Sequence, residues 1–478
     1  MGGRAAAARF DSRTTARVIA DELPGPRGTI DAPSAGRLEK GAAIRVCALG
    51  VARVARRDMP VTVIIGSQWG DEGKGKAIDY FARNADFVAR YNGGNNAGHT
   101  VVNELGTFKI HLVPSGIFYP HTQCLMGNGM VIDPAVLLQE LDELRRAGLH
   151  FEKRLHLSQR AHLIMPYHKT LDGLYEEAKG AGATGTTRRG IGPAFADKIS
   201  YNGLRWADFI GGTFDERLRV QVGLKNKIIA ALGGDTLDYE MTRAEYWDYY
   251  AQLKPYITEL APIVQNGLAQ NKNFLLEQAM GSLLDPDWGT YPFVTGSTTL
   301  ASAATAGLGI PPRKISRVIG VTKAYTTRVG AGPMPTELAD DHPAKPQLTE
   351  TAATTGRTRR AGWLDLEIVK FSAQINGSAM LFVTKLDTLS GIDELQVGVG
   401  YKLDGKPVHY ADLDAARLSR VEVVYRSFKG WREDIRDVRK FADLPKNAQR
   451  YIQAFEKLGA IPIRFIGNGP ERHAVIKR

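Results

Sequence analysis

The chain has 478 residues, 43% of them apolar and 24% charged, with a formal net charge of +11. That is ample for a large core and near the upper size of one domain. Two cysteines, Cys47 and Cys124, imply no disulfide framework and point to a reducing compartment. No apolar run reaches about 18 residues, so no membrane-spanning helix is expected. Lys and Arg are spread along the chain without the interleaved aromatics of a nucleic-acid face, so anionic small substrates are the expected partners rather than nucleic acid or membrane.

Residues 1–58 stand apart, rich in Ala, Gly and Arg, with 11 basic against 6 acidic residues and no sustained period. A transit peptide is Arg-rich but poor in acids. Asp11, Asp21, Glu22, Asp31 and Glu39 argue against one. The segment reads as a disordered leader, or as translation from a start upstream of Met59, with one catalytic domain over 59–478.

Val61–Ile65 predicts a buried strand, and GSQWGDEGKGK after it predicts a loop opening a helix near Gly75. Strand, glycine loop and helix start together aim backbone N–H groups at an anion. The standard phosphate loop is G-x-x-x-x-G-K-[ST]. Here Gly75 follows Gly73-Lys74, Gln68 takes the first glycine's place, and Asp71 lies where phosphates would sit. An acid there repels phosphate unless it binds a metal or takes a proton. A second loop, Asn95-Asn96-Ala97-Gly98-His99-Thr100, follows closely.

Asp133-Pro134, then Val136, Leu137, Leu141 and Leu144, predict a capped helix ending at Gly148. Met165–Lys179 predicts another, running into the loop GAGATGTTRRGIGPAF (180–195). Residues 214–272 read as mostly helical, with Tyr246, Trp247 and Tyr250 as core rather than a base-stacking platform. Strands are expected at Phe274–Leu276, Val318–Val321, Met380–Thr384 and Ile461–Ile466. Asp404-Gly405 between alternating runs signals a hairpin. Residues 331–361, interrupted by prolines, form a long loop of the kind that is usually functional. The expected fold is α/β: a large, mostly parallel central sheet with crossover helices and a P-loop-like nucleotide site, plus a helical subregion and small antiparallel hairpins.

GDEGKGK followed by NAGHT resembles the adenylosuccinate synthetases, GTP-dependent ligases joining IMP to aspartate. The similarity runs from about Pro60 to the C-terminus. It implies a homodimer in cytoplasmic purine synthesis that moves the GTP γ-phosphoryl onto the 6-oxygen of IMP, after which aspartate's amine displaces phosphate. The purine must lose its N1 proton, which calls for a base beside the ring. The resemblance assigns that role to Asp71, with His99 and Lys74 as catalytic groups on the phosphoryl, and Mg²⁺ held by Asp71 and Gly98. GTP would be held by Gly70, Asp71, Glu72, Gly73, Lys74, Gly75, Lys76, Gly98, His99 and Thr100. In Thr384-Lys385-Leu386-Asp387, after a strand, Asp387 can accept both N–H groups of guanine while the Lys385 stem stacks on the ring. Asn468-Gly469-Pro470 matches the segment closing that base pocket. IMP would meet Asn96, Thr187, Arg189, Thr295 and Arg357, and aspartate would meet Thr354, Thr355, Arg357 and Arg359.

The family pattern is broken in the IMP pocket. Its E-G-A-Q-G stands here as Glu277-Gln278-Ala279-Met280-Gly281, so a thioether replaces a glutamine that bonds the purine. Tyr201 replaces an Arg that reaches the partner subunit's IMP, and Thr298 and Thr358 replace an Asn and an Arg. Gln278 and Arg205 are near enough in sequence to supply the missing groups. Two alternatives stay open: a ligase for another 6-oxopurine nucleotide, or a GTP-binding regulator with residues 331–361 as its switch and no ligase chemistry.

Overall fold

The computed structural model describes residues 61–350 and 358–478. The reading of residues 1–58 as a leader lies outside them, as do Thr354, Thr355 and Arg357.

The run Val61–Gly66 (β1) is almost wholly buried, as a β-branched strand covered on both faces should be. It lies inside a ten-stranded sheet with Phe87–Arg90 (β2), Gln123–Met126 (β3), Leu155–Ser158 (β4), Ile257–Thr258 (β5), Phe274–Gly281 (β6), Ile315–Lys323 (β7), Met380–Thr384 (β8), Ile463–Gly467 (β9) and Val475–Lys477 (β10). The spatial order is β10-β9-β8-β7-β1-β6-β2-β3-β4-β5. Every ladder is parallel except that of the edge strand β10 with β9. The expected parallel sheet is therefore present, and β1 is flanked by β6 and β7. Ligands in such sheets bind beyond the carboxyl ends of the strands, where the order turns back on itself. Here that place is the end of β1 and its phosphate loop.

The loop opens Lys74–Ala82 (α1), whose Ala77, Ile78 and Ala82 pack with Ile64, Val88, Ile319 and Phe382 on one face of the sheet. Pro134–Arg146 (α2) is capped by Asp133, as expected from the Asp-Pro pair. Pro166–Lys179 (α3), Ile191–Ile199 (α4), Trp206–Ile210 (α5), Phe214–Ala231 (α6) and Tyr239–Leu253 (α7) build the helical subregion. Its core includes Tyr167, Trp206, Phe209, Phe214 and Tyr246. Phe209 stacks on Tyr250 with centroids 4.6 Å apart, so these aromatics are packing residues. Asp404 and Gly405, at φ 52° and 76°, turn the hairpin Glu394–Leu403/Lys406–Val408, and Glu422–Lys429 adds a third antiparallel strand.

The segment 214–272 is mostly helical as expected, though interrupted after Ala231 and Leu253, and Ile257–Thr258 becomes the sheet's edge strand. One other expectation needs revision. The long loop 331–361 is more regular than its prolines imply. It contains a helical turn, Lys345–Leu348, and the strand Arg360–Gly362, which pairs antiparallel with Thr326–Arg328.

Candidate functional site

A cavity of about 570 Å³ opens over the carboxyl ends of β1, β6, β7 and β8 and receives both glycine loops. The odd sequence of the first loop has a structural cause. Glu72 turns inward: its Oε1 accepts from the N–H of Gln68 (3.0 Å) and Gly70 (2.9 Å), and its Oε2 pairs with Lys74 Nζ at 2.7 Å. The carboxylate thus organises the loop from beneath. Glu72 does not line the cavity, so it supports the nucleotide site without facing it. Two glycines are required around it. A Cβ on Gly66 would lie 2.3 Å from Glu72 Oε2, and one on Gly281 would lie 2.2 Å from Gly70 N.

Asp71 points the other way, into the cavity, from a left-handed backbone at φ 60°. Its Oδ2 is held by Lys323 Nζ at 2.9 Å and Arg359 Nε at 2.8 Å. Its Oδ1 has no donor among the described residues. Gly98 lines the same cavity. No cluster of three His, Cys, Asp or Glu side chains suited to a metal occurs among the described residues. One carboxylate and one carbonyl beside a phosphate site nonetheless fit Mg²⁺, which takes few protein ligands and completes its shell with phosphate oxygens and water.

His99 starts the strand His99–Asn103. Its Nδ1 bonds Glu277, whose other contacts are Ser115 N (2.8 Å) and Ser115 Oγ (3.0 Å). The Nε2 atom is buried without a partner among the described residues, and His99 borders the cavity. Burial pushes the imidazole below its usual range against the pull of Glu277. With Nδ1–H committed to the carboxylate, Nε2 carries a proton only as imidazolium, a form that an incoming phosphate dianion favours.

At the opposite end Lys385, at φ 60°, and Asp387 follow β8. Asp387 Oδ1 is buried without a partner among the described residues. Burial holds this carboxyl above the ordinary range, opposed by Lys385 and Lys76. Lys76 donates to Gly469 O and, at 2.7 Å, to Ala474 O, tying α1 to the segment that closes this end. Burial brings its pKa down to about 8. Asn468 is fully buried and braces that segment by donating to Val438 O at 2.8 Å; Gly469 and Pro470, not Asn468, face the cavity.

On the third side Asn96 Nδ2 donates to Thr295 Oγ1 (3.3 Å), with Thr187 and Met280 nearby on the cavity wall. Arg189 is not brought here. It donates to Asn95 O and borders a separate cavity of about 390 Å³ with Asp133 and Lys169. The compensation foreseen from Gln278 for Met280 is not present. Gln278 is fully buried with Oε1 committed to Gly66 N at 2.6 Å, and neither it nor Arg205 lines the cavity. Tyr201 is 91% exposed, and Thr298 is exposed outside the cavity.

Three groups of the site had no local signal: Glu277, 178 residues from His99, and Lys323 and Glu350, the lysine holding both Glu350 and Asp71. Only the position of Lys323 at the end of a strand could have marked it.

The sequence model of the adenylosuccinate synthetase family matches residues 63–476. Adenylosuccinate synthetases from Clostridium novyi and Carboxydothermus hydrogenoformans are 46% and 47% identical over 422 residues, covering 87% of this chain and 99% of theirs. The structure of a fully ligated adenylosuccinate synthetase from Plasmodium falciparum superposes with a TM-score of 0.82 at 36% identity, covering 88% of this chain and 100% of that one. A cyanophage S-2L succinoaminodeoxyadenylate synthetase, bound to dGMP and dATP, shares the fold at TM-score 0.55 and 19% identity, covering 87% and 95%.

Proposed function

Since the chain belongs to the adenylosuccinate synthetase family, we propose that the cavity over β1 is where its reaction runs. The chain is a ligase that forms adenylosuccinate from IMP and L-aspartate at the expense of GTP.

In our reading the guanine lies at Asp387 and Lys385, and the phosphates lie on the loop N–H groups and Lys74. IMP sits between Asn96, Thr187, Thr295 and Met280. Asp71 takes the N1 proton, the 6-oxygen attacks the γ-phosphorus, and the bond to the GDP oxygen breaks. Loop N–H groups, Lys74 and His99 stabilise the charge on the transferring group. Aspartate, held by Arg359 and, on the family pattern, by Arg357, Thr354 and Thr355, then displaces phosphate through its amine. Mg²⁺, held by Asp71 and Gly98, would neutralise phosphate charge. We further propose that residues 59–478 carry the activity, because relatives matched over 99% of their own length align to 87% of this chain. A cytoplasmic homodimer belongs to the same proposal.

The observation that carries this reading is a carboxylate inside a phosphate loop, facing one cavity together with His99 and Asp387, whose Nε2 and Oδ1 have no partner among the described residues. The test is an absorbance assay of purine conversion with IMP, GTP, Mg²⁺ and aspartate, omitting each in turn. Every omission should stop the reaction. A second reading, another 6-oxopurine nucleotide as acceptor, is favoured by Met280 on the wall; turnover with that nucleotide and none with IMP would establish it. A GTP switch without ligase chemistry gives way to the family membership.

A further inference from the structure

We propose that Lys323 is a positioning residue for the base: from the end of β7 it fixes the Asp71 carboxylate so that Oδ1 is presented to the purine N1–H. The inference rests on Asp71 being that base.

Lys323 is fully buried and does not line the cavity, so it acts only through its neighbours. An ammonium has three protons, and all three are committed: to Asp71 Oδ2 at 2.9 Å, Thr327 Oγ1 at 2.8 Å and Glu350 Oε1 at 3.0 Å. Its own backbone is pinned, Lys323 N donating to Gln68 Oε1 at 3.1 Å. Gln68 is the residue standing where the ordinary phosphate loop has its first glycine. Burying a lysine is costly unless it is paired, and a well-packed apolar residue commonly serves stability as well or better. A charged group kept here has to be explained by what it holds.

What it holds is a side chain with a soft torsion. The carboxylate of Asp rotates broadly about χ2, so a base on a glycine loop needs an anchor. Arg359 also grips Oδ2, but it ends the segment assigned to aspartate, and its fork is wanted by the substrate's carboxylates. Lys323 lies on a central sheet strand whose register to β1 and β8 is fixed. It therefore keeps its grip when Arg359 changes partner. Glu350 matches the charge: burial alone would raise its carboxyl, but Lys323 and then Lys385 hold it at about 2, an anion beside the ammonium.

The step assigned to this group is the first one. The N1 proton passes to Asp71, the 6-oxygen forms a bond to the γ-phosphorus, and the bond to the GDP oxygen breaks. That step is read alone, without aspartate, by the IMP-dependent exchange of ¹⁸O between bridging and non-bridging positions of GTP. The experiment uses the full chain with Lys323→Met and, because a buried lysine can be needed for folding, Thr327→Val, which keeps the ammonium and removes one of its three acceptors. Misplacing a catalytic group by about 1 Å costs on the order of 10²-fold. We expect a fall of that size in kcat for Lys323→Met, an equal fall in exchange, and an unchanged KM for aspartate. Thr327→Val should show the same pattern with a smaller fall. Unchanged exchange in Lys323→Met with a raised KM for aspartate would overturn the proposal, since Lys323 would then serve Arg359 through Glu350. A lower melting temperature with every KM raised and kcat intact would overturn it as well, leaving a structural role. If Lys323→Met does not fold, unchanged kcat and exchange in Thr327→Val are decisive against it. Failure of the unmutated protein to exchange label with IMP would instead overturn the proposed function, and the inference with it.

Discussion

Replacing Asp387 with Asn should collapse the preference for GTP over ATP. The Oδ1 atom of Asp387 is buried without a partner among the described residues, and burial already raises its carboxyl, so the unliganded protein carries the cost of a desolvated acceptor. Guanine returns two N–H donors to that carboxylate. Hydrogen bonds to a charged group are worth roughly 1.5–3 kcal/mol each, so the pair supplies roughly 3–6 kcal/mol. At about 1.4 kcal/mol per factor of ten this is a preference of roughly 10²–10⁴, in line with the discrimination of sites that leave a polar group unpaired with the wrong substrate. Adenine has no N1–H to give. Asn keeps one acceptor and turns an NH₂ toward a guanine donor, so most of the gain with GTP goes while ATP gains little. The measurement is kcat/KM for GTP and ATP in both proteins. Comparable use of ATP by the unmutated chain, or an unchanged ratio in Asp387→Asn, would refute the assignment.

Asp71→Asn should abolish adenylosuccinate formation while GTP still binds, because the loop is organised by Glu72 and not by Asp71; near-normal turnover in the steady-state assay would remove Asp71 as the base. Met280 lines the cavity where the family has a donor, and Gln278 is committed elsewhere. Losing an oxyanion donor costs about 10²–10³ in kcat, so Met280→Gln should raise kcat for IMP and Tyr201→Arg should lower its KM; if both leave the kinetics unchanged, the pocket is built for another purine nucleotide. Asp365, which caps the helix Leu366–Asn376 and accepts from Tyr401 at 2.5 Å, is pushed by burial from 3.8 to about 7. The folded state therefore holds a proton that the unfolded state has lost over that window, and its contribution to stability, present below the lower value, fades as pH rises to the upper one. Asn caps as well as Asp, so the fall in melting temperature between these pH values should be shallower in Asp365→Asn, and equal slopes would show that Asp365 does not titrate there.

What the sequence discloses depends on how local the cause is. β1, its glycine loop and α1 are consecutive, so their residue types alone imply an anion site. Asp133-Pro134 marks a helix start and Asp404-Gly405 marks a turn because each motif acts on its own backbone. Glu277 is different: its part in orienting His99 comes from the pairing of β6 with β2, the strand that leads to the His99 loop, which brings residues far apart in sequence together. The same holds for Lys323 at Asp71, and for Gln278, whose nearness to Met280 in sequence says nothing of the distant Gly66 N–H on which its amide oxygen is spent. Glu72 reads as one more loop acid until the carboxylate is seen beneath Gln68 and Gly70. The prolines of 331–361 likewise conceal a strand because its partner, Thr326–Arg328, precedes them.

The central place of β1 also governs how the molecule comes off the ribosome. Among the described residues it is the first strand made, yet both of its neighbours come late: Gln278 of β6 meets Gly66 across 212 residues of chain, and β7 ends only at Lys323. At about 5–20 residues per second, synthesis takes on the order of 10–50 seconds to reach them. Through that interval one of the most apolar strands of the protein has no sheet to join, and long-range parallel pairing is itself slow. Nascent chains therefore spend most of their synthesis with a sticky edge in the open. Yield in the cell should depend on holdase chaperones and translation speed more than on the stability of the finished fold.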